Sequence, residues 1–248
     1  MKPIHILTLF LLAFPAMAQD APPTGEETML SLILKGGYVM IPLGAASFLA
    51  LAITFERTFG LRKKKLIPPE FLPTLKNTVD SDERTLDDAL RYCESLKTPV
   101  ANIFRSGLVN LERGLDAAEK AIEDAGAREM YKLKRSLRGL SVIASVAPLL
   151  GLLGTVYGMI SAFQAASTAG MGKADTLANG IYEALVTTAT GLTIAVPVLL
   201  VYQMFLSKVD GIVDDIDEMG IDFLQHLAKR NAAASGAPPV STVQGNLP

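Results

Sequence analysis

The sequence predicts an all-α integral membrane protein with three transmembrane helices and long cytoplasmic helical extensions. Half of its 248 residues are hydrophobic and only 19% are charged, and the apolar residues gather in blocks rather than spreading as in one soluble core. Residues 36–55 and 139–172 carry no charge, and residues 176–207 carry one, Glu183. Each block exceeds or matches the ~20 residues a helix needs to cross a bilayer. Between the blocks, apolar residues return at helical spacing, the pattern of amphipathic helices in water.

Composition narrows the function classes. The net charge is −2, so no basic footprint points to nucleic acid. Cys93 is the single cysteine, which excludes an internal disulfide and a multi-cysteine zinc site. His5 and His226 lie at opposite ends of the chain, giving no support to a histidine metal cluster. No cofactor and no metal are expected. The charged stretch between the first two apolar blocks holds no histidine, no Gly-rich phosphate loop and no nucleophile motif, so an enzyme has no residues to stand on.

Residues 1–18 have the layout of a signal peptide: Lys2, an apolar run from Ile4 to Phe14, then Ala16-Met17-Ala18. Residues 19–35 form a polar, Pro-containing segment outside the membrane, with a short amphipathic piece over 28–34. The first span is 36–60. It closes on Glu56-Arg57 and the cluster Arg62-Lys63-Lys64-Lys65, which places that end on the cytoplasmic side. Residues 61–138 form a cytoplasmic helical domain. Its seams are Leu86, Ala89, Leu90 and Cys93; Val100, Ile103, Phe104, Gly107, Leu108 and Leu111; and Ala118, Ile122, Met130, Leu133, Leu137 and Leu140. Lys132, Lys134, Arg135 and Arg138 keep its far end inside. The second span is 139–167, with Pro148 marking a bend. Residues 168–175 form an outer loop, 176–207 the third span, 208–230 an acidic cytoplasmic helix, and 231–248 a disordered Ala/Gly/Pro-rich tail.

The third block holds the candidate chemistry. A carboxylate inside a span costs roughly 2.5 kcal/mol or more, so it normally faces a protein interior or a water path. On a helix advancing ~100° per residue, Glu183, Thr187 and Thr190 share a face and suggest an ion path. Thr188 sits about 140° from Glu183, in a stripe with Gly180 and Ala184. The plainer reading of such threonines is that they bond back to their own backbone or glue helices together. In the second span Ala147, Gly151 and Thr155, and likewise Gly154, Gly158 and Ala162, recur every four residues, a spacing that lets helix backbones approach closely in lipid. Small-residue stripes on two spans, with an acid that has no basic partner in the spans, point to a ring-forming homo-oligomer that would give the acid a shared interior.

Ala147-Pro148-Leu149-Leu150-Gly151-Leu152-Leu153-Gly154-Thr155-Val156-Tyr157-Gly158-Met159, followed by Gly180-Ile181-Tyr182-Glu183-Ala184-Leu185-Val186-Thr187-Thr188-Ala189-Thr190-Gly191-Leu192 and Pro197, resembles the ExbB/TolQ/MotA proton-channel family, and within it the ExbB/TolQ branch. The signal-like start and outer segment are similar to long-form ExbB proteins. Tyr157 stands where relatives often carry Trp, and three spans rather than four argue against a flagellar stator. The resemblance implies an inner-membrane complex that converts proton-motive force into motion in the envelope. Its parts would be a pentamer of this subunit, an ExbD/TolR-type single-span partner and a TonB-type transducer. It implies a proton pathway at Glu183, in the position of the family's acid, with Thr155 and Thr188 as pore-lining residues. Helix geometry adds Thr187 and Thr190 to that set. Gly151, Gly154, Gly158, Gly180 and Ala184 then serve helix packing, with Pro148 and Pro197 in the same two spans.

Overall fold

A computed structural model describes residues 37–80, 86–169 and 174–235, which are mostly helical and contain no strand. The expected signal peptide, the outer segment over 19–35 and residues 236–248 lie outside the described residues. The chain divides into two compact units.

The first unit holds residues 37–56 and 137–205 among those described. It is built from helix α1 (Met40–Gly60), helix α7 (Arg138–Ala169) and the first part of helix α8 (Ala174–Ser235). These three are long and apolar enough to cross a membrane. One face of α1 packs inward: Met40 and Leu43 join Ala147 of α7 and Ala195 of α8. Further along, Ala50 meets Leu140 and Ile143, with Val198, Val201 and Phe205 against them. The other face leaves Ile41, Phe48, Leu51 and Phe55 exposed. A helix apolar on all sides suits a hydrocarbon surround, where the bilayer solvates what the protein does not cover. Pro148 and Pro197 lie inside α7 and α8, and both helices continue through them. Each proline removes one backbone donor, a loss that helix neighbours make tolerable in spans.

The second unit comprises residues 57–136 and the rest of α8. Its helices are α2 (Lys63–Leu66), α3 (Phe71–Asp80), α4 (Leu86–Leu96), α5 (Pro99–Asn110), a 3₁₀ turn at Leu111–Arg113 and α6 (Leu115–Ser136). Helix α5 starts where it does because the Thr98 hydroxyl accepts from the Ala101 N–H and Pro99 occupies the first turn. Gly114, at φ 108°, supplies the turn into α6. A methyl built on Gly107 would come within 2.6 Å of the Ile122 side chain, so Ile122 would have to move to admit one. The core is a relay of rings: Phe71 stacks on Tyr92, meets Phe104 edge-on at 5.3 Å, and Phe104 meets Phe223 of α8 at 5.4 Å. At the far end of α8, Arg230 donates to the Val79 carbonyl and His226 lies 2.8 Å from Asp80.

Two boundaries differ from the periodicity reading. The seam expected over Ala118 to Leu140 is cut between Ser136 and Arg138, where Leu140 N–H turns back to the Leu137 carbonyl. Leu140 therefore packs with Ala50 and Ile143 rather than with Ala118. Apolar spacing alone runs across such a turn because leucines occupy both sides of it. Helix α8 also extends through Asn231–Ser235, since the three alanines there are the best helix formers.

Candidate functional site

The site is built on the contact between α7 and α8, which run antiparallel and present their smallest residues to each other. A Cβ built on Gly158 would lie 2.9 Å from the Ala184 Cβ. One on Gly180 would lie 2.5 Å from the Ala162 Cβ, and one on Gly191 2.7 Å from the Ala147 carbonyl oxygen. Gly151 faces the backbone of Thr187 and Thr188 at 3.0 Å. Gly154 faces the Thr187 side chain, with the hydroxyl oxygen where a methyl would go. The helices thus touch through backbone, the close packing that small residues permit in lipid.

The threonines are bound to carbonyls. Thr187 is buried. Its hydroxyl lies 2.7 Å from the Ala184 carbonyl on its own helix and 3.3 Å from the Gly151 carbonyl on α7. A hydroxyl has one proton to give, so the shorter bond takes the larger share. Thr188 donates to the same Gly151 carbonyl at 3.0 Å. Thr190 donates to Val186 at 2.8 Å and Thr155 to Leu152 at 2.6 Å, each within its own helix. The structure therefore brings Thr187 and Thr188 together with Gly151 and Gly154. The helix wheel grouped Thr187 with Glu183 and Thr190, because it cannot represent a neighbouring helix that has no side chain at 154.

Glu183 is half-buried on α8, one turn from Thr187. Its carboxylate reaches Gly37, three residues ahead of α1: a methyl built on Gly37 would collide with Glu183 Oε1. Gly37 has φ +65°, a left-handed conformation that favours glycine. Sequence reasoning treated Gly36-Gly37 only as the start of a span. The paired glycines were a signal, but nothing local tied them to an acid far along the chain. On the other side of α7, Thr155, Val156, Met159, Ile160, Phe163, Gln164 and Ser167 line an open, mostly apolar groove. The arrangement offers one acid in an apolar span, a groove on the adjacent helix and a rigid seam between them. Such a set can bind and release a proton; it holds no nucleophile paired with a base.

Residues 95–218 match the profile of the MotA/TolQ/ExbB proton channel family. An ExbB-like biopolymer transport protein of Synechocystis sp. is 33% identical over 202 residues, covering 78% of this chain and 78% of that protein. The Tol-Pal system protein TolQ of Haemophilus influenzae is 38% identical over 211 residues, covering 77% of this chain and 90% of that protein. The solved structure of C. jejuni MotAB matches with a TM-score of 0.53 at 18% identity, over 94% of this chain and 88% of that one, which is a likeness of fold.

Proposed function

Because this chain belongs to the MotA/TolQ/ExbB proton channel family, a multi-pass protein of the inner membrane, we propose that it is the proton-conducting subunit of an ExbB-like energy-transducing complex. In this reading it couples proton-motive force to TonB-type outer-membrane transport. Copies of the chain, as a pentamer, surround the single membrane helix of an ExbD/TolR-type partner, and the apolar groove along α7 suits such a helix. The observation that carries the reading is Glu183, a half-buried acid that is the one charge in residues 176–207.

In this mechanism Glu183 carries the proton, taking it up on one side of the membrane and giving it up where water reaches it on the other. Thr155, Thr188 and Thr190 are half-buried, and their hydroxyl oxygens keep lone pairs for that water. A route past Thr187 requires its contact with Gly151 and Gly154 to open. A carboxylate on the partner supplies the next proton. The membrane potential contributes roughly 2.3 kcal/mol per charge per 100 mV, enough to set the direction.

Glu183→Gln keeps the side chain's size and removes its titration. The complex should assemble normally and lose energised function. Retained energy-dependent activity with normal assembly would mean that the proton route lies elsewhere. A TolQ-like role in envelope integrity is the second reading, favoured by the 38% identity to TolQ across most of that protein's length. A non-conducting membrane scaffold is the reading that full activity in Glu183→Gln would leave standing.

In orientation we propose an amino terminus outside and a carboxyl terminus inside, with residues from about 62 to 138 in the cytoplasm, from the basic clusters at Arg62–Lys65 and Lys132–Arg138. A reporter active only outside should be silent when fused at Asp116 or Asp217 and active when fused near Lys173. The inverse pattern overturns the assignment.

A further inference from the structure

Gly37 stands outside every helix, yet it touches the residue on which the proposed function rests. We infer that Gly37 is a positioning residue for Glu183: its lack of a side chain leaves the space in which the Glu183 carboxylate seats, at the start of α1. This rests on the reading of Glu183 as the proton carrier and deepens it, by fixing where the carboxylate is held when it is not released.

Three observations carry the inference. The volume a Cβ would fill at Gly37 is occupied by Glu183 Oε1, with the carboxyl carbon 3.4 Å away. Gly37 adopts φ +65°, a backbone conformation that residues with a side chain rarely adopt. The Gly37 carbonyl accepts from the Met40 N–H at 3.1 Å, which ties this turn into the start of α1. On the other side Thr187 is packed against Gly154. The Glu183 carboxylate thus lies against backbone ahead of the first span. In the proposed orientation the start of that span faces outside, where protons enter. Tyr38 and Tyr182 are the adjoining titratable side chains.

A side chain at 37 would meet the carboxylate where it now sits, and the carboxylate would have to move. The test is the pH midpoint of the Glu183 carboxyl in the full-length chain in membranes, read by infrared difference against Glu183→Gln. Gly37→Ala and Gly37→Asn should each move that midpoint by about one unit. Asparagine tolerates positive φ but keeps the colliding Cβ, so a shift in both variants assigns the effect to the collision. A shift in alanine alone assigns it to backbone strain and overturns the inference, as does an unchanged midpoint in both. If the single variants fail to fold, Gly37→Ala combined with Glu183→Asp decides. The shorter acid leaves room for the methyl and should restore folding, and no restoration overturns the inference. Failure of the proton-carrier reading is separately visible, as full energised activity in Glu183→Gln whatever the Gly37 variants do.

Discussion

At the scale of single residues, the α7–α8 seam separates what matters by size from what matters by hydrogen bonding. Gly158→Leu inserts a side chain where a Cβ alone would sit 2.9 Å from Ala184, and overpacking of that kind costs about 1–3 kcal/mol. Thr187→Val keeps the shape and deletes one hydroxyl, a change worth ~0.6 kcal/mol on average inside membranes. Thermal unfolding followed by circular dichroism should therefore fall clearly for Gly158→Leu and barely for Thr187→Val; the reverse order would mean that the hydroxyls, and not the glycines, hold the helices together. That Glu183 is the one acid of a long apolar run was legible in the sequence, and such an acid stands out by its cost. The placement of Thr187 was not. A helix wheel ranks the faces of one helix, whereas Thr187 is buried because Gly154, on another helix, leaves it room.

At the scale of elements, the apolar runs foretold all three spans, because lipid selects on composition over ~20 residues and needs no long-range information. In the second unit, Ala89, Cys93, Val100, Ile103, Phe104 and Leu108 are buried as their spacing implied. The contribution of Phe223, far off in the chain, was illegible, as was the pairing of His226 with Asp80. Such contacts depend on which helix returns beside which. The return of α8 sets Asp217 near Glu123 of α6 and Asp214 of its own helix. Burial first, then those two carboxylates, raises the Asp217 carboxyl above its ordinary value of 3.8. Lys134–Asp210 and Lys63–Asp215 pairs flank the same stretch. A raised acid holds its proton more tightly in the folded state, so its contribution is fully present below pH 3.8 and is lost as pH rises through the folded value. Asp217→Asn should raise the melting temperature at pH 7 and flatten its rise on acidification. An unchanged pH profile would show that Asp217 carries none of it.

At the scale of the whole molecule, the first unit leaves Leu149, Leu152, Phe163 and Leu185 exposed, an apolar surface that lipid or another protein can cover. In the proposed ring, neighbouring copies would cover part of it. Native mass measurement in mild detergent should give a closed oligomer near five subunits, and an active monomer would overturn that reading. The glycine contacts between α7 and α8 then acquire a mechanical meaning. Two helices joined backbone to backbone, with a shared carbonyl at Gly151 receiving both Thr187 and Thr188, behave like a single stave in a cask. A stave gives at its edges and not down its middle. Whatever opens and closes around Glu183 is therefore expected at the joints between neighbouring staves, or where the first span leans against them at Gly37.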